Sequence, residues 1–114
     1  MNHFVALPEE EEKIIEQIRH GLGSNIKLPE AAELFSNLTH PTARYQVGSI
    51  INSYCFKQVN CARDEKLVSD KDLALQMLME VVEYCPDPLP ARHLAYELLY
   101  RYQEQPVKEK STTQ

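Results

Sequence analysis

Glycine is scarce in this chain, with three residues in 114, and none of them lies in a GxGxxG or GxxxxGK arrangement. A loop that cradles phosphate groups with backbone N–H groups needs such spacing, so nucleotide-binding loops of these kinds are excluded. The three cysteines, an odd number without a CxxC pair, provide neither a disulfide framework nor a zinc knuckle. We expect them to be small apolar side chains in a reducing compartment.

Basic residues are also few and scattered. Twelve Lys and Arg against 17 Asp and Glu leave a net charge of −5, unlike the basic footprint of a protein that wraps duplex DNA. The longest apolar runs are only a few residues, too short to span a membrane. Segment 1–8 lacks the basic start and apolar core of a signal peptide, so we expect a cytoplasmic protein that does not bind membranes.

Residues that carry catalysis or bind metals are not arranged in recognisable motifs. No histidine has a partner at the HExxH or i, i+4 spacing of a metal site; the four are His3, His20, His40 and His93. No flanking signature supports a nucleophile–base pair of His93 with Cys85 or Cys61, and His93 fits an exposed helix start better. The glutamates at 9–12 fit a solvated helix start better than a cation or general-acid site. The sequence therefore predicts no metal, no cofactor and no enzymatic activity.

Helix start and stop signals, by contrast, recur along the whole chain. Pro8 before the glutamates predicts a first helix over 8–20, because proline suits the first helical position and carboxylates favour the N-terminal end of the helix dipole. Pro29 predicts a second helix, and residues 39–41 end it and start a third that reaches Val59 or Cys61. Segment 69–72 has the form of a capping box for a fourth helix. Three prolines within 86–90 separate it from a fifth helix, which is predicted to end at Pro106.

Apolar residues recur within these segments at helical spacing, and no segment alternates with period two. The predicted core positions of the last three helices are Val47, Ile50, Ile51, Tyr54, Cys55, Leu73, Leu75, Met77, Leu78, Val81, Val82, Ala91, Leu94, Ala95, Leu98, Leu99 and Tyr102. We therefore predict a single all-α domain of about five helices over 1–105. The polar segment 106–114 lacks this periodicity and is predicted to be a disordered tail.

The most informative pattern is a degenerate internal repeat. Segment 33–41 aligns with 80–88, and after one extra residue in the second copy Arg44 aligns with Arg92. Such repetition is typical of stacked helix pairs, which mostly bind other macromolecules. The pairs would be 29–61 and 69–105, in a short α-solenoid-like stack capped by the helix at 8–20. An irregular helical bundle is the alternative.

The second copy resembles a HEAT or armadillo-type repeat in residues 81–99. It has an apolar first helix, a turn with Asp and Pro, and a second helix that opens with Ala-Arg. The resemblance implies that Asp87 and Arg92 hydrogen-bond across the turn as a structural pair. In the first copy Arg44 matches, but His40 occupies the acidic position. About three repeats are usually needed to cover the apolar faces, so the first helix or a homodimer would cover the open end.

Tyrosines outside the core stripe indicate where a partner would bind. Tyr96 and Tyr100 lie one turn apart on the fifth helix, and exposed tyrosines are enriched at protein interfaces. The alternative is that this helix is buried on both faces. We predict a non-enzymatic adaptor or regulatory subunit that binds a protein partner through a helical-repeat surface. Its predicted contact residues are Tyr84, Tyr96, Tyr100, Arg101, Gln46 and Asn52.

A helix-turn-helix DNA-binding regulator is the alternative function. Residues 31–38 would form the first helix, and Arg44, Tyr45 and Gln46 would lead the recognition helix. The acidic charge balance, the proline in the turn and the length of the third helix disfavour this function. We therefore do not expect nucleic acid as a partner.

Overall fold

The computed structural model describes residues 7–64 and 70–112, with side chains described up to residue 102. Five helices lie in these ranges: α1 at Glu9–Gly21, α2 at Leu28–Ser36, α3 at Pro41–Arg63, α4 at Lys71–Tyr84 and α5 at Pro90–Thr112. The same ranges contain no strand, and their only bridge pairing joins Leu22 with Ile26. The predicted all-α fold is confirmed. None of the helices among the described residues has the length and apolar character needed to cross a membrane.

Residues within a few positions of each helix end account for where most of the helices begin and end. Pro8 immediately precedes α1, whose first turn is acidic and whose last turn carries Arg19 and His20, as the helix dipole favours. The chain leaves α1 through a tight loop that requires glycine. A side chain at Gly21 would lie 2.7 Å from the Asn25 side chain, and Gly23 adopts a φ of 89°.

The starts and ends of two helices differ from the prediction. Asp70, rather than Ser69, caps α4, because its carboxylate accepts hydrogen bonds from the N–H groups of Asp72 and Leu73. Ser69 itself lies outside the described residues. Helix α5 continues past Pro106 to Thr112, so it does not end where predicted, and segment 106–112 is helical rather than a disordered tail. A proline inside a helix costs one backbone hydrogen bond and can kink the helix without ending it.

Contacts divide the chain into two compact units, Met1–Tyr54 and Cys55–Gln114, and the boundary falls inside α3. It therefore does not coincide with the boundary between the two sequence copies. In the first unit the side chains with the least exposure come from all three helices, from the loop after α1 and from the turn between α2 and α3. They are Ile15, Ile18, Ile26, Leu28, Ala31, Leu38, Ala43, Val47 and Ile51.

The second unit has its own apolar core, in which α4 packs against α5. Its buried side chains are Cys55, Val59, Ala62, Ala74, Leu78, Val81, Cys85, Ala91, Ala95 and Leu98. The stripe of α5 is close to the prediction, but that of α4 is rotated. Leu73 is exposed and Ala74 is buried in its place. The first turn of α4 therefore presents its alanine to the core and its leucine to solvent.

Candidate functional site

The turn before α3 is held by a carboxylate from α1. Glu11 accepts hydrogen bonds from the N–H and the hydroxyl of Thr39, at 3.1 and 2.7 Å, and from the N–H of His40 at 3.0 Å. Glu11 is only 9% exposed, whereas the other three glutamates of the run are exposed. The prediction of a solvated acidic run is therefore wrong for Glu11. Its carboxylate satisfies N–H groups at the start of α3 that no helical carbonyl can reach.

These hydrogen bonds favour the charged form of Glu11. The bond from the Thr39 hydroxyl lowers the pKa of Glu11 below its usual value, and the two backbone N–H groups act in the same direction. Burial opposes this shift but is outweighed. The carboxylate is therefore ionised at neutral pH and serves as a structural acceptor, not as a proton donor.

Arg44 fastens the same turn from α3. Its guanidinium donates to the carbonyls of Phe35 at 3.2 Å and Leu38 at 3.0 Å, and its Cζ atom lies 4.4 Å from the centre of the Phe35 ring. These two carbonyls lie at the end of α2 and just after it. The Phe35 carbonyl also accepts a hydrogen bond from the N–H of Leu38. The positive charge of Arg44 is thus used to close the α2–α3 hairpin and to stack on an aromatic face.

Arg92 makes the matching bond in the second unit. Its Nε donates to the carbonyl of Val82 at 3.0 Å. Val82 and Phe35 are both the third residue of the aligned segments 80–88 and 33–41. The two arginines therefore reach back to the same carbonyl position of the helix that precedes them.

Asp87 and Arg92, the pair implied by the resemblance, lie close together, with 3.6 Å between Arg92 Nη1 and Asp87 Oδ1. Asp87 is 66% exposed, and the ring of His93 lies 4.0 Å from the same carboxylate oxygen. An ion pair this open to solvent contributes little, because water screens both charges. The stronger attachment of Arg92 is its bond to Val82.

The predicted contact residues divide between the two units. Tyr96 and Tyr100 are 62% and 59% exposed on α5, and Arg101 beside them is exposed as well. We call these three residues the α5 tyrosine surface. Tyr84, at the end of α4 in the same unit, is half-buried.

Gln46 and Asn52 belong to the first unit, and both are half-buried rather than exposed. Tyr45 on α3, which the sequence suggested only as part of the DNA-binding alternative, is 77% exposed. Tyr45 lies two residues from each of the buried positions Ala43 and Val47, so helical periodicity places its ring on the outward side of α3.

Neither a metal site among the described residues nor similarity to another protein indicates the function. Among the described residues, no group of three or more His, Cys, Asp and Glu side chains could hold a metal ion. A scan against protein-family models found no match, and searches of curated proteins and of solved structures found no significant similarity.

Proposed function

We propose that this protein is a non-enzymatic protein-binding module and that the α5 tyrosine surface contacts the partner. The observation that carries the proposal is the exposure of Tyr96 and Tyr100, one turn apart, on a helix whose opposite side supplies Ala95 and Leu98 to the core. Two tyrosine rings offer a large contact area, and each loses little conformational entropy when it is ordered.

Arg101 extends this surface with a cation that could pair with a carboxylate of the partner. Tyrosine and arginine are the residue types that most often carry binding energy at protein interfaces. We propose that the partner is a protein with an apolar, partly acidic patch, or a second copy of this chain in a symmetric homodimer. The HEAT-like arrangement of the helix pairs belongs to the same proposal, as does a cytoplasmic location.

The contacts of Arg44 weigh against the DNA-binding alternative. In that alternative Arg44 would read bases, yet its guanidinium is bonded to the Phe35 and Leu38 carbonyls and stacked on the Phe35 ring. A DNA-binding protein should lose affinity steeply as salt rises. Under the proposed function the chain should bind no duplex DNA, even at low salt.

The test is the double variant Tyr96→Ser/Tyr100→Ser, with Tyr45→Ser as the matched control. All three tyrosines are exposed, but Tyr45 lies in the other unit. Urea unfolding, mass in solution and partner recovery from the native host would be measured for both variants. We expect only the double variant to lose a partner or its dimeric mass while remaining folded. A folded double variant that keeps the wild-type mass and every partner would show that the α5 tyrosine surface is inert.

A further inference from the structure

The exposed side chains of α5 form one continuous stripe within the second unit. Over 91–102 the exposed residues are His93, Tyr96, Glu97, Tyr100 and Arg101. Their i, i+3, i+4, i+7, i+8 spacing places them on one face of the helix, away from the side that is buried in the core. We call these five residues the α5 stripe. It is the α5 tyrosine surface with a carboxylate and an imidazole added.

Two residues of the α5 stripe carry opposite charges. Glu97 and Arg101 are four residues apart, a spacing at which a glutamate and a following basic residue can pair on the surface of a helix. None of the ion pairs between described residues includes either of them. Both charges can therefore pair with groups on another chain.

A second copy of α5, packed antiparallel on the stripe, presents the complementary groups in the right order. A twofold axis at the midpoint of residues 96 and 101 places Tyr96 opposite Tyr100 of the second copy, and Glu97 opposite Arg101 of the second copy. In each of these contacts the two residues differ in height along the helix by only one residue, about 1.5 Å. A twofold axis parallel to the helices would instead bring each charge against its own copy, and like charges repel. The charges of the α5 stripe therefore favour the antiparallel arrangement.

We propose that the α5 stripe binds a second copy of this chain, in a symmetric dimer whose two α5 helices pack antiparallel. The inference rests on the proposed function, in which the α5 tyrosine surface is a contact surface, and it assigns that surface one partner. Tyrosine rings from both chains form the centre of the contact, where aromatic pairs stack offset or edge to face. Two ion pairs between Glu97 and Arg101 flank them, as polar groups flank the centre of most interfaces.

The size of the contact determines how the dimer behaves. Standard protein interfaces involve about 20–30 residues on each side, so a contact centred on five side chains per chain is small. We therefore expect a reversible dimer that dissociates on dilution. Because its ion pairs are at the surface, the dimer should also weaken as salt rises.

The test reverses the charges of the stripe one at a time. Glu97→Arg and Arg101→Glu should each raise the dissociation constant of the dimer about tenfold or more, because each substitution brings like charges together twice in the symmetric contact. An equimolar mixture of the two variants should dimerise again, since one chain then has two positive charges at positions 97 and 101 and the other has two negative charges. Sedimentation equilibrium over a series of concentrations measures the mass, and circular dichroism checks that each variant is folded.

Glu33→Arg is the matched control for Glu97→Arg. Glu33 is an exposed glutamate on α2 in the first unit, and its substitution changes the net charge by the same amount. The control should dimerise as the wild-type chain does. Equal dissociation of the control and of Glu97→Arg would show that net charge, and not the α5 stripe, determines association.

Three further results would overturn the proposed dimer. They are a wild-type chain that stays monomeric at every concentration, a dimer that survives both single reversals, and a mixture of the two variants that does not dimerise. The double variant Tyr96→Ser/Tyr100→Ser separates this failure from that of the proposed function. If it loses a different protein while the chain is monomeric, the α5 tyrosine surface is a contact surface and only the dimer is wrong. If it loses neither dimeric mass nor a partner, both proposals are wrong.

Discussion

The turns that precede α3 and α5 are fastened by arginines at matching positions but by carboxylates of different origin. In the first unit the carboxylate is Glu11, which comes from α1, is buried, and accepts three hydrogen bonds. In the second unit it is Asp87, which belongs to the turn itself and is mostly exposed. The acidic residue that the first turn lacks at His40 is thus supplied by another helix. An acceptor for helix N–H groups stabilises more when it is buried, because water then competes less for the same bonds.

The largest losses of stability are expected from substitutions in the apolar cores of the two units. They test whether the buried helix faces contribute equally to the stability of both units. Ile51→Ala and Leu98→Ala should each lower the free energy of unfolding by about 2–4 kcal/mol, because each leaves a cavity in a packed core. Ile51 is fully buried and Leu98 nearly so. Urea denaturation measures the change.

The neighbouring positions provide the controls for that experiment. Ile50 and Leu99 are half-buried, so Ile50→Ala and Leu99→Ala should each cost less than the substitution beside them. Equal costs at both members of a pair would contradict the assigned stripe.

Substitution of Arg44 and of Arg92 tests whether the two arginines stabilise their turns equally. Arg44→Met should cost about 1–2 kcal/mol, because two carbonyls lose a charged donor and the stacking on Phe35 is lost. Arg92→Met should cost about 1 kcal/mol, since one carbonyl is affected. Chemical denaturation of the two variants gives the ranking, and a larger loss for Arg92→Met would reverse the comparison.

Acid should weaken the first turn more than the second. The pKa of Glu11 is lowered in the folded chain below its ordinary value, so its contribution to stability is complete above that ordinary value. This contribution is lost as pH falls through the lower folded pKa, where the carboxylate becomes protonated. Glu11→Gln should therefore lower stability at neutral pH and remove part of the acid dependence.

Glu12→Gln is the matched control for that measurement, because Glu12 is the exposed neighbour of Glu11 on the same helix. Unfolding followed from pH 7 downward should give a control curve parallel to that of the wild-type chain. Identical curves for the two variants would mean that Glu11 has no special role in holding the turn.

The smallest effect is expected for the pair in the second turn. A double-mutant cycle with Asp87→Ala and Arg92→Ala should give a coupling free energy of about 0.2–1 kcal/mol, because the pair is exposed. The coupling should shrink as salt rises. Strict additivity at low salt would show that Asp87 and Arg92 do not act as a pair.

Local sequence signals predicted the helices well but not which side chains they bury. Proline and capping residues act on their own backbone, so the starts of α1, α2 and α3 fall within one residue of the prediction. The aligned pairs Ile50–Ile51 and Leu98–Leu99 show what periodicity misses. The second residue is the more buried in the first pair, and the first residue is the more buried in the second pair. Both residues of each pair are apolar, so the sequence pattern does not show which of the two faces the neighbouring helix.

The candidate surface could be predicted only in part for the same reason. Tyr96 and Tyr100 lie on the polar side of a clear apolar stripe, so their exposure followed from helical periodicity. Gln46 and Asn52 are polar residues near the edge of a stripe, where small rotations of α3 decide their exposure, and both are half-buried.

The sequence by itself determined that this protein is helical, because helix starts, breaks and stripes depend on residues within a few positions of one another. Only the tertiary structure decided that Glu11 would bind a turn 28 residues away. It also directed Arg44 and Arg92 to the same carbonyl position of the preceding helices. Such contacts form between helices whose separation along the chain carries no periodic signal. Their partners are selected by the packing of whole side-chain surfaces and by the need to satisfy buried polar groups.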